Sequence, residues 1–230
     1  MVSQSQEKSG SSIKAVLFDL DGTLVDTAPD LVAALNLSLA QFNCPQVSLD
    51  KMRQVASDGS LALVKAAQPH LNEDKQFELQ QGLLRHYTQI NGQHSQLFDG
   101  ISALLAYLDE HAIPYGIVTN KPARFTRPLL DVLGLSVSMG TVVSGDSTLF
   151  SKPHIAPMLL ASQQIDCPAE QILYLGDAER DLLAAFNAGM LGGIAMWGYI
   201  GSDATPQSWP SNYTFHSPQD VVELLAQLSS

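Results

Sequence analysis

The apolar run Ala15-Val16-Leu17-Phe18, ending in Asp19-Leu20-Asp21-Gly22, constrains this chain more than any other segment. Four consecutive apolar residues followed by a turn describe a strand buried on both faces, as in a parallel sheet. In open α/β sheets, ligands bind outside the carboxyl ends of the strands. Asp19 and Asp21 stand at that end with one residue between them. Two acids so placed are costly unless a cation joins them, and a divalent ion is the simplest partner. The segment points to divalent-cation chemistry on an anionic substrate.

Beyond this strand a helical pattern runs from Pro29 to about Phe42, with Asp26 or Thr27 placed to cap it. Leu31, Leu35, Leu39 and Phe42 make its apolar stripe. As far as Gln93 only helices follow: one from Ser48 through Val55, broken by Asp58-Gly59, and another over Leu61–Ala67. A long one is opened by Asn72, with Phe77, Leu83, Leu84, Tyr87 and Ile90 expected to be buried. Alternation then sets in. Helix Ser102–Glu110 leads to strand Tyr115–Thr119, and helix Ala123–Leu133 to strand Thr141–Ser144. Helix Ile155–Gln164 precedes strand Ile172–Leu175, and helix Glu179–Ala188 precedes strand Gly193–Met196. Helix Pro218–Leu228, capped by Ser217, is last. Such alternation predicts an α/β fold, a doubly wound parallel sheet with helices on both faces. The expected division is a core of residues 13–26 and 94–230 and a helical insert, 27–93, overhanging the first strand as a lid. The polar segment 1–12 has no apolar stretch of a secretory signal and reads as a disordered arm.

Composition narrows the partners. Hydrophobic residues make up 45% and charged residues 15% of 230, enough for a sizeable core. The net charge of −11 argues against a nucleic-acid footprint and against an anionic membrane surface. It leaves room for a phosphate substrate, because a metal and one or two lysines reverse the sign locally. No apolar run approaches a membrane span. Cys44 and Cys167 are too far apart in sequence for a metal pair and read as reduced thiols, so the expected setting is the cytoplasm. The six histidines form no zinc motif.

Four expected strand ends carry polar residues: Asp19 and Asp21, then Thr119-Asn120-Lys121, then Ser151-Lys152-Pro153, then Gly176-Asp177-Ala178-Glu179-Arg180-Asp181. Each alone reads equally well as a helix cap or a solvated surface group. Together, at one end of one sheet, they read as a site.

This ordered set, with the helical insert after the first motif, resembles the haloacid dehalogenase superfamily in its phosphatase branch. The resemblance spans about residues 13–228 and implies a Rossmann-like core with a helical cap of the C1 type. It further implies that Asp19 attacks phosphorus, while Asp21 protonates the leaving oxygen and then activates water. Mg²⁺ is implied on side-chain oxygens of Asp19 and Asp177 and on the Asp21 carbonyl. Thr119, the backbone at Asn120 and Lys152 are implied to hold the phosphoryl oxygens, and Asp181 to orient Lys152 or a metal-bound water. Glu179 and Arg180 read as a solvated first turn, and Gly22 as the residue that allows the tight turn.

The resemblance implies a small phosphorylated metabolite as substrate and a monomer or homodimer as the working form. Val118-Thr119-Asn120-Lys121-Pro122 with Arg124-Phe125, and Phe98-Asp99-Gly100, resemble the bacterial phosphoglycolate phosphatases. Trp197-Gly198-Tyr199-Ile200 with Pro206 and Trp209, and Ala178 within Gly-Asp-Ala-Glu-Arg-Asp, are closer to the N-acetylmuramic acid 6-phosphate phosphatases. In the insert, Ser57, Asp58, Gly59 and Ser60 form a turn placed to reach the leaving group, and Arg53 and Lys65 are placed to read a carboxylate. A sugar phosphomutase would use the same acids. A carbon–halogen hydrolase would lack Asp21, and a non-catalytic binding protein would have lost one of Asp19, Asp21, Lys152 or Asp177.

Overall fold

The computed structural model describes residues 12–228, so the arm expected at 1–12 lies, apart from Ser12, outside the described residues. Strand β1 (Ala15–Phe18) is wholly buried. It pairs in parallel with β4 (Tyr115–Val118) and β6 (Ile172–Gly176). Among the described residues the sheet has six strands in the order β5-β4-β1-β6-β7-β8, every pairing parallel. The outer three are β5 (Thr141–Val143), β7 (Leu191–Ala195) and β8 (Tyr213–Phe215). The last was missed in the sequence because three residues, one of them exposed, give no period to read.

Alternation along β1 feeds two cores. Val16 and Phe18 pack with Leu104 and Leu108 of α5 (Ile101–Glu110) and with Val221 of α9 (Pro218–Leu228). Ala15 and Leu17 pack on the other face with Met158 and Ala161 of α7 (Ala156–Gln164) and Ala184 of α8 (Glu179–Asn187). The remaining core helix is α6 (Ala123–Val132). The start of α9 is closed by Asp220, not by Ser217. Asp220 accepts from the N–H groups of His216 and Ser217 and from the Ser217 hydroxyl.

The chain leaves and re-enters the core through a two-stranded ribbon, β2 (Val25–Asp26) against β3 (Gln96–Leu97), too short to read as strands beforehand. Between them lie α1 (Ala28–Gln41), α2 (Leu49–Met52), a 3₁₀ segment (Arg53–Asp58), α3 (Ser60–Ala67) and α4 (Glu73–Ile90). These helices close on their own apolar cluster of Leu35, Leu39, Leu63, Leu79, Leu83 and Tyr87, joined from the core by Phe125 and Tyr199. Two expected members lie outside it: Phe42 is 36% and Phe77 58% exposed. Asn72 caps α4 as expected, accepting from Lys75 N–H at 3.0 Å. α1 has no side-chain cap, because Thr27 and Asp26 are committed elsewhere. The buried Asp30 on α1 instead accepts from the N–H groups of Gly92, His94 and Ser95 and from the Ser95 hydroxyl, which fixes the returning chain.

Candidate active site

The parallel register brings the ends of β1, β4 and β6 to one place. Lys152 is 3% exposed, and its ammonium lies 2.9 Å from Asp19 Oδ1 and 2.7 Å from Asp181 Oδ1. It also donates to the Val118 carbonyl at 2.8 Å and the Tyr174 hydroxyl at 2.7 Å. Burial alone would lower its pKa, but Asp181 and Asp19 outweigh burial and hold it above the ordinary lysine value. Its backbone is clamped by the Asn120 side chain, which accepts from Lys152 N–H and donates to Lys152 C=O, both at 2.9 Å. Asn120 therefore offers only its backbone to the cleft. Thr119 is buried, its hydroxyl accepting from Lys121 N–H at 3.1 Å.

Asp21 belongs to a different set of contacts. Its Oδ1 accepts from Lys121 Nζ at 2.7 Å and from the Thr27 hydroxyl. Lys121 is buried and lies 4.7 Å from the centre of the Tyr87 ring. Burial works against its charge, but Asp21 and Tyr87 hold its pKa well above the ordinary range. Burial likewise pushes the Tyr87 phenol up to about 12.

Asp177 follows β6, where its Oδ1 accepts from Thr23 at 3.2 Å and its Oδ2 from Tyr199 N–H at 2.9 Å. Ser57, from the helical insert, donates toward Asp177 Oδ2 at 3.0 Å and the Asp21 carbonyl at 3.1 Å. These contacts require Gly22, with φ +85°, because a Cβ there would collide with Asp177, Ser57 and Tyr199. Burial, then the charges of Asp181 and Asp19, push the Asp177 carboxyl up to about 7. Oxygens of Asp19, Asp177 and Asp181 lie within 4.8 Å of one another, a buried acidic group able to hold a metal ion. Both Asp181 oxygens are taken, by Lys152 and by Ala178 N–H at 3.1 Å, and both Asp177 oxygens accept from hydroxyls or an N–H, whereas Asp19 Oδ2 has no partner among the described residues. Three carboxylates beside one ammonium, one of them driven toward neutrality, fit a divalent cation.

The cleft above these groups has a volume of about 420 Å³. Ser57, Asp58, Gly59 and Ser60 line it. Arg53 and Lys65 do not. Arg53 pairs with Asp26 at 2.7 Å and lies over the Tyr199 ring, and Lys65 is exposed away from the cleft. Arg180 also departs from expectation. It is no solvated first-turn residue, because it binds Asp58 at 2.9 Å and the Ser57 carbonyl at 2.6 Å, tying α8 to the insert.

The arrangement defines a class: a parallel α/β fold whose strand ends hold a buried acidic cluster beside a lysine, under a helical insert. Comparison with known proteins agrees. The family model described as "Haloacid dehalogenase-like hydrolase" matches residues 16–192. A phosphoglycolate phosphatase of Xanthomonas campestris pv. campestris is 39% identical over 210 residues, 91% of this chain and 95% of the relative. An N-acetylmuramic acid 6-phosphate phosphatase of Pseudomonas aeruginosa is 35% identical over 214 residues, 93% of this chain and 95% of the relative. The crystal structure of a predicted phosphoglycolate phosphatase from Haemophilus somnus superposes with a TM-score of 0.82 at 26% identity, covering 94% of this chain and 99% of that one. The chain belongs to the haloacid dehalogenase-like hydrolases. It is an enzyme, a phosphoric monoester hydrolase.

Proposed function

We propose that this chain is a Mg²⁺-dependent phosphatase acting on a small phosphomonoester through an aspartyl-phosphate on Asp19. The observation that carries the reading is the buried contact of Lys152 with Asp19 and Asp181, set apart from the Asp21–Lys121 pair. A carboxylate ionised beside an ammonium suits nucleophilic attack on phosphorus. Asp19 Oδ forms the new P–O bond as the ester P–O bond breaks, and Asp21 gives its proton to the departing oxygen. Asp21 then takes a proton from water as that water attacks the phosphorus, which releases inorganic phosphate and restores Asp19. The Thr119 hydroxyl, the Asn120 backbone and Lys152 hold the phosphoryl oxygens, and Asp181 positions Lys152. The Asp19 and Asp177 side chains with the Asp21 carbonyl would hold Mg²⁺, which when bound supplies charge neutralisation at the phosphoryl oxygens.

Residues 27–93 act in this reading as a lid over the cleft, tied down by Asp58 and Ser57 to Arg180. The cleft volume of about 420 Å³ lies within the range of small-molecule sites. The relatives' names supply two candidate substrates, 2-phosphoglycolate and N-acetylmuramic acid 6-phosphate. Among the described residues no helix is long and apolar enough to cross a membrane. The proposed setting is the cytoplasm, with the chain working as a monomer or homodimer.

The test is release of inorganic phosphate from a panel holding both candidates, with Mg²⁺ and with chelator. Phosphate release that needs Mg²⁺ and no sugar bisphosphate is the expected result. Turnover retained in chelator, or obtained only with a bisphosphate activator as a mutase requires, would overturn the reading.

A further inference from the structure

Ser57 brings an oxygen of the helical insert against two of the core donors proposed for the cation. Its Oγ lies 3.0 Å from Asp177 Oδ2 and 3.1 Å from the Asp21 carbonyl oxygen. A hydroxyl has one proton, so it serves one of these acceptors at a time and keeps two lone pairs. No donor among the described residues reaches those lone pairs. Asp177 does not depend on Ser57 for hydrogen bonds. Its Oδ1 already accepts from Thr23 and its Oδ2 from Tyr199 N–H.

The spacing suits a shared ion. Mg²⁺ takes oxygens at about 2.1 Å in an octahedron, which sets neighbouring ligands about 3 Å apart. Hydrogen bonds have that length too, so the surroundings must decide. Asp177 lines a second cavity, of about 560 Å³, and Asp19 lines the substrate cleft, while Ser57 lines both. Its hydroxyl therefore stands at the boundary where the two acids converge. Its backbone is held there, since Arg180 donates to the Ser57 carbonyl at 2.6 Å and binds Asp58 at 2.9 Å. Gly22 makes room for the approach, because a Cβ there would lie 2.7 Å from Ser57 Oγ. Neutral Ser and Thr hydroxyls hold Mg²⁺ in other phosphoryl-transfer enzymes.

We propose that Ser57 Oγ is a further ligand of the cation, contributed by the insert, so that binding the ion fastens the insert to the core. The inference rests on the phosphatase reading above and on its cation site. It takes Ser57 out of the leaving-group turn and places it on the metal.

The experiment follows Mn²⁺, a paramagnetic substitute for Mg²⁺, binding to the full chain without substrate, by electron paramagnetic resonance. Asp177→Asn, which removes a core donor, should weaken binding strongly. Ser57→Ala should weaken it by about tenfold. Ser57→Cys should bind Mn²⁺ as poorly as Ser57→Ala but take up Cd²⁺ tightly, because a thiolate prefers the softer ion. That complex should show a cadmium–thiolate charge-transfer band beyond any the wild type gives through Cys44 and Cys167. In hydrogen exchange, Mg²⁺ should slow the amides of residues 53–60 by about threefold or more in the wild type, and much less in Ser57→Ala. Mn²⁺ affinity in Ser57→Ala equal to or tighter than wild type would overturn the inference, the hydroxyl then being only a hydrogen-bond donor to the acids. So would equal protection of residues 53–60 in both proteins, or Cd²⁺ bound to Ser57→Cys without the added band. A wild type that binds no Mn²⁺, or binds it no better than Asp177→Asn, would instead overturn the cation site of the phosphatase reading, and this inference with it.

Discussion

Asp19 and Asp21 are neighbours in sequence but answer to different partners. Asp19 shares Lys152 with Asp181, whereas Asp21 is held by Lys121 and Thr27. In the proposed reaction Asp19 attacks and Asp21 moves the proton, which predicts unlike kinetic traces when each is removed. Asp19→Asn should abolish turnover of every ester, because an amide cannot replace the nucleophile. Asp21→Asn should still react with p-nitrophenyl phosphate, whose leaving group needs no proton, and then stall at hydrolysis of the intermediate. Stopped-flow should show a burst of nitrophenolate near one equivalent and a steady rate lower by about 10²–10⁴-fold. An alkyl ester should give no burst. A steady rate equal to wild type, or activity in Asp19→Asn, would contradict the assignment. The two acids, Thr119 and Asp177 were legible in the sequence because each follows a strand signal closely, whereas Lys152, well beyond the expected strand Thr141–Ser144, was legible through the Ser151-Lys152-Pro153 motif. The parts of Lys121 and Tyr87 were not, since they depend on which elements fold against one another, and Ser57, placed in the sequence to reach the leaving group, instead meets Asp177 and the Asp21 carbonyl. Arg180 was misread because a charged first turn looks solvated until the helix is docked against the insert.

The helical insert depends on how closely α1 and α4 approach, and one glycine sets that distance. Gly82 in α4 is buried against Ser38 of α1, whose hydroxyl donates to the Leu79 carbonyl at 2.8 Å. On an isolated helix, alanine in place of glycine would gain about 1 kcal/mol. Here a Cβ would run into Ser38 Oγ and come within 3.2 Å of Ser38 Cβ. Overpacking of this kind costs about 1–3 kcal/mol, so Gly82→Ala should lower stability in urea unfolding despite its better propensity. Adding Ser38→Ala should recover part of the loss, and a single variant more stable than wild type would refute the packing argument. The helices of the insert were readable from spacing and from Asn72, yet Phe77 and Phe42 were placed inward although they face solvent. A helix with apolar residues on more than one face does not declare which face will find a partner. The ribbon β2–β3 and strand β8 were invisible for a simpler reason: two or three residues cannot show alternation, and only their pairing partners make them strands.

Closing the sheet gathers Asp19, Asp177 and Asp181 beside the single ammonium of Lys152 in a buried place, within a chain of net charge −11. Negative charge is in excess there, and burial with the other two acids pushes the Asp177 carboxyl from an ordinary 3.8 to about 7. The sign of the consequence follows from linkage. The native state without a cation holds this proton more tightly than the unfolded chain does. Its contribution to stability is therefore complete below about pH 4 and is lost as pH rises through about 7. A shift of that size corresponds to about 4 kcal/mol once fully expressed. In chelator, wild-type stability should fall between about pH 5 and pH 8 relative to Asp177→Asn, which has no proton to lose at this position. Chemical unfolding of the two proteins at matched pH reads that difference directly. Mg²⁺ added near pH 8 should restore the wild type, because a cation that binds only the native state raises Tm with its concentration. The same addition should do much less for Asp177→Asn. A wild-type curve parallel to that of the variant from pH 5 to pH 8 in chelator would show that the acidic cluster is not short of positive charge. A Tm indifferent to Mg²⁺ at pH 8 would remove the cation from the site altogether.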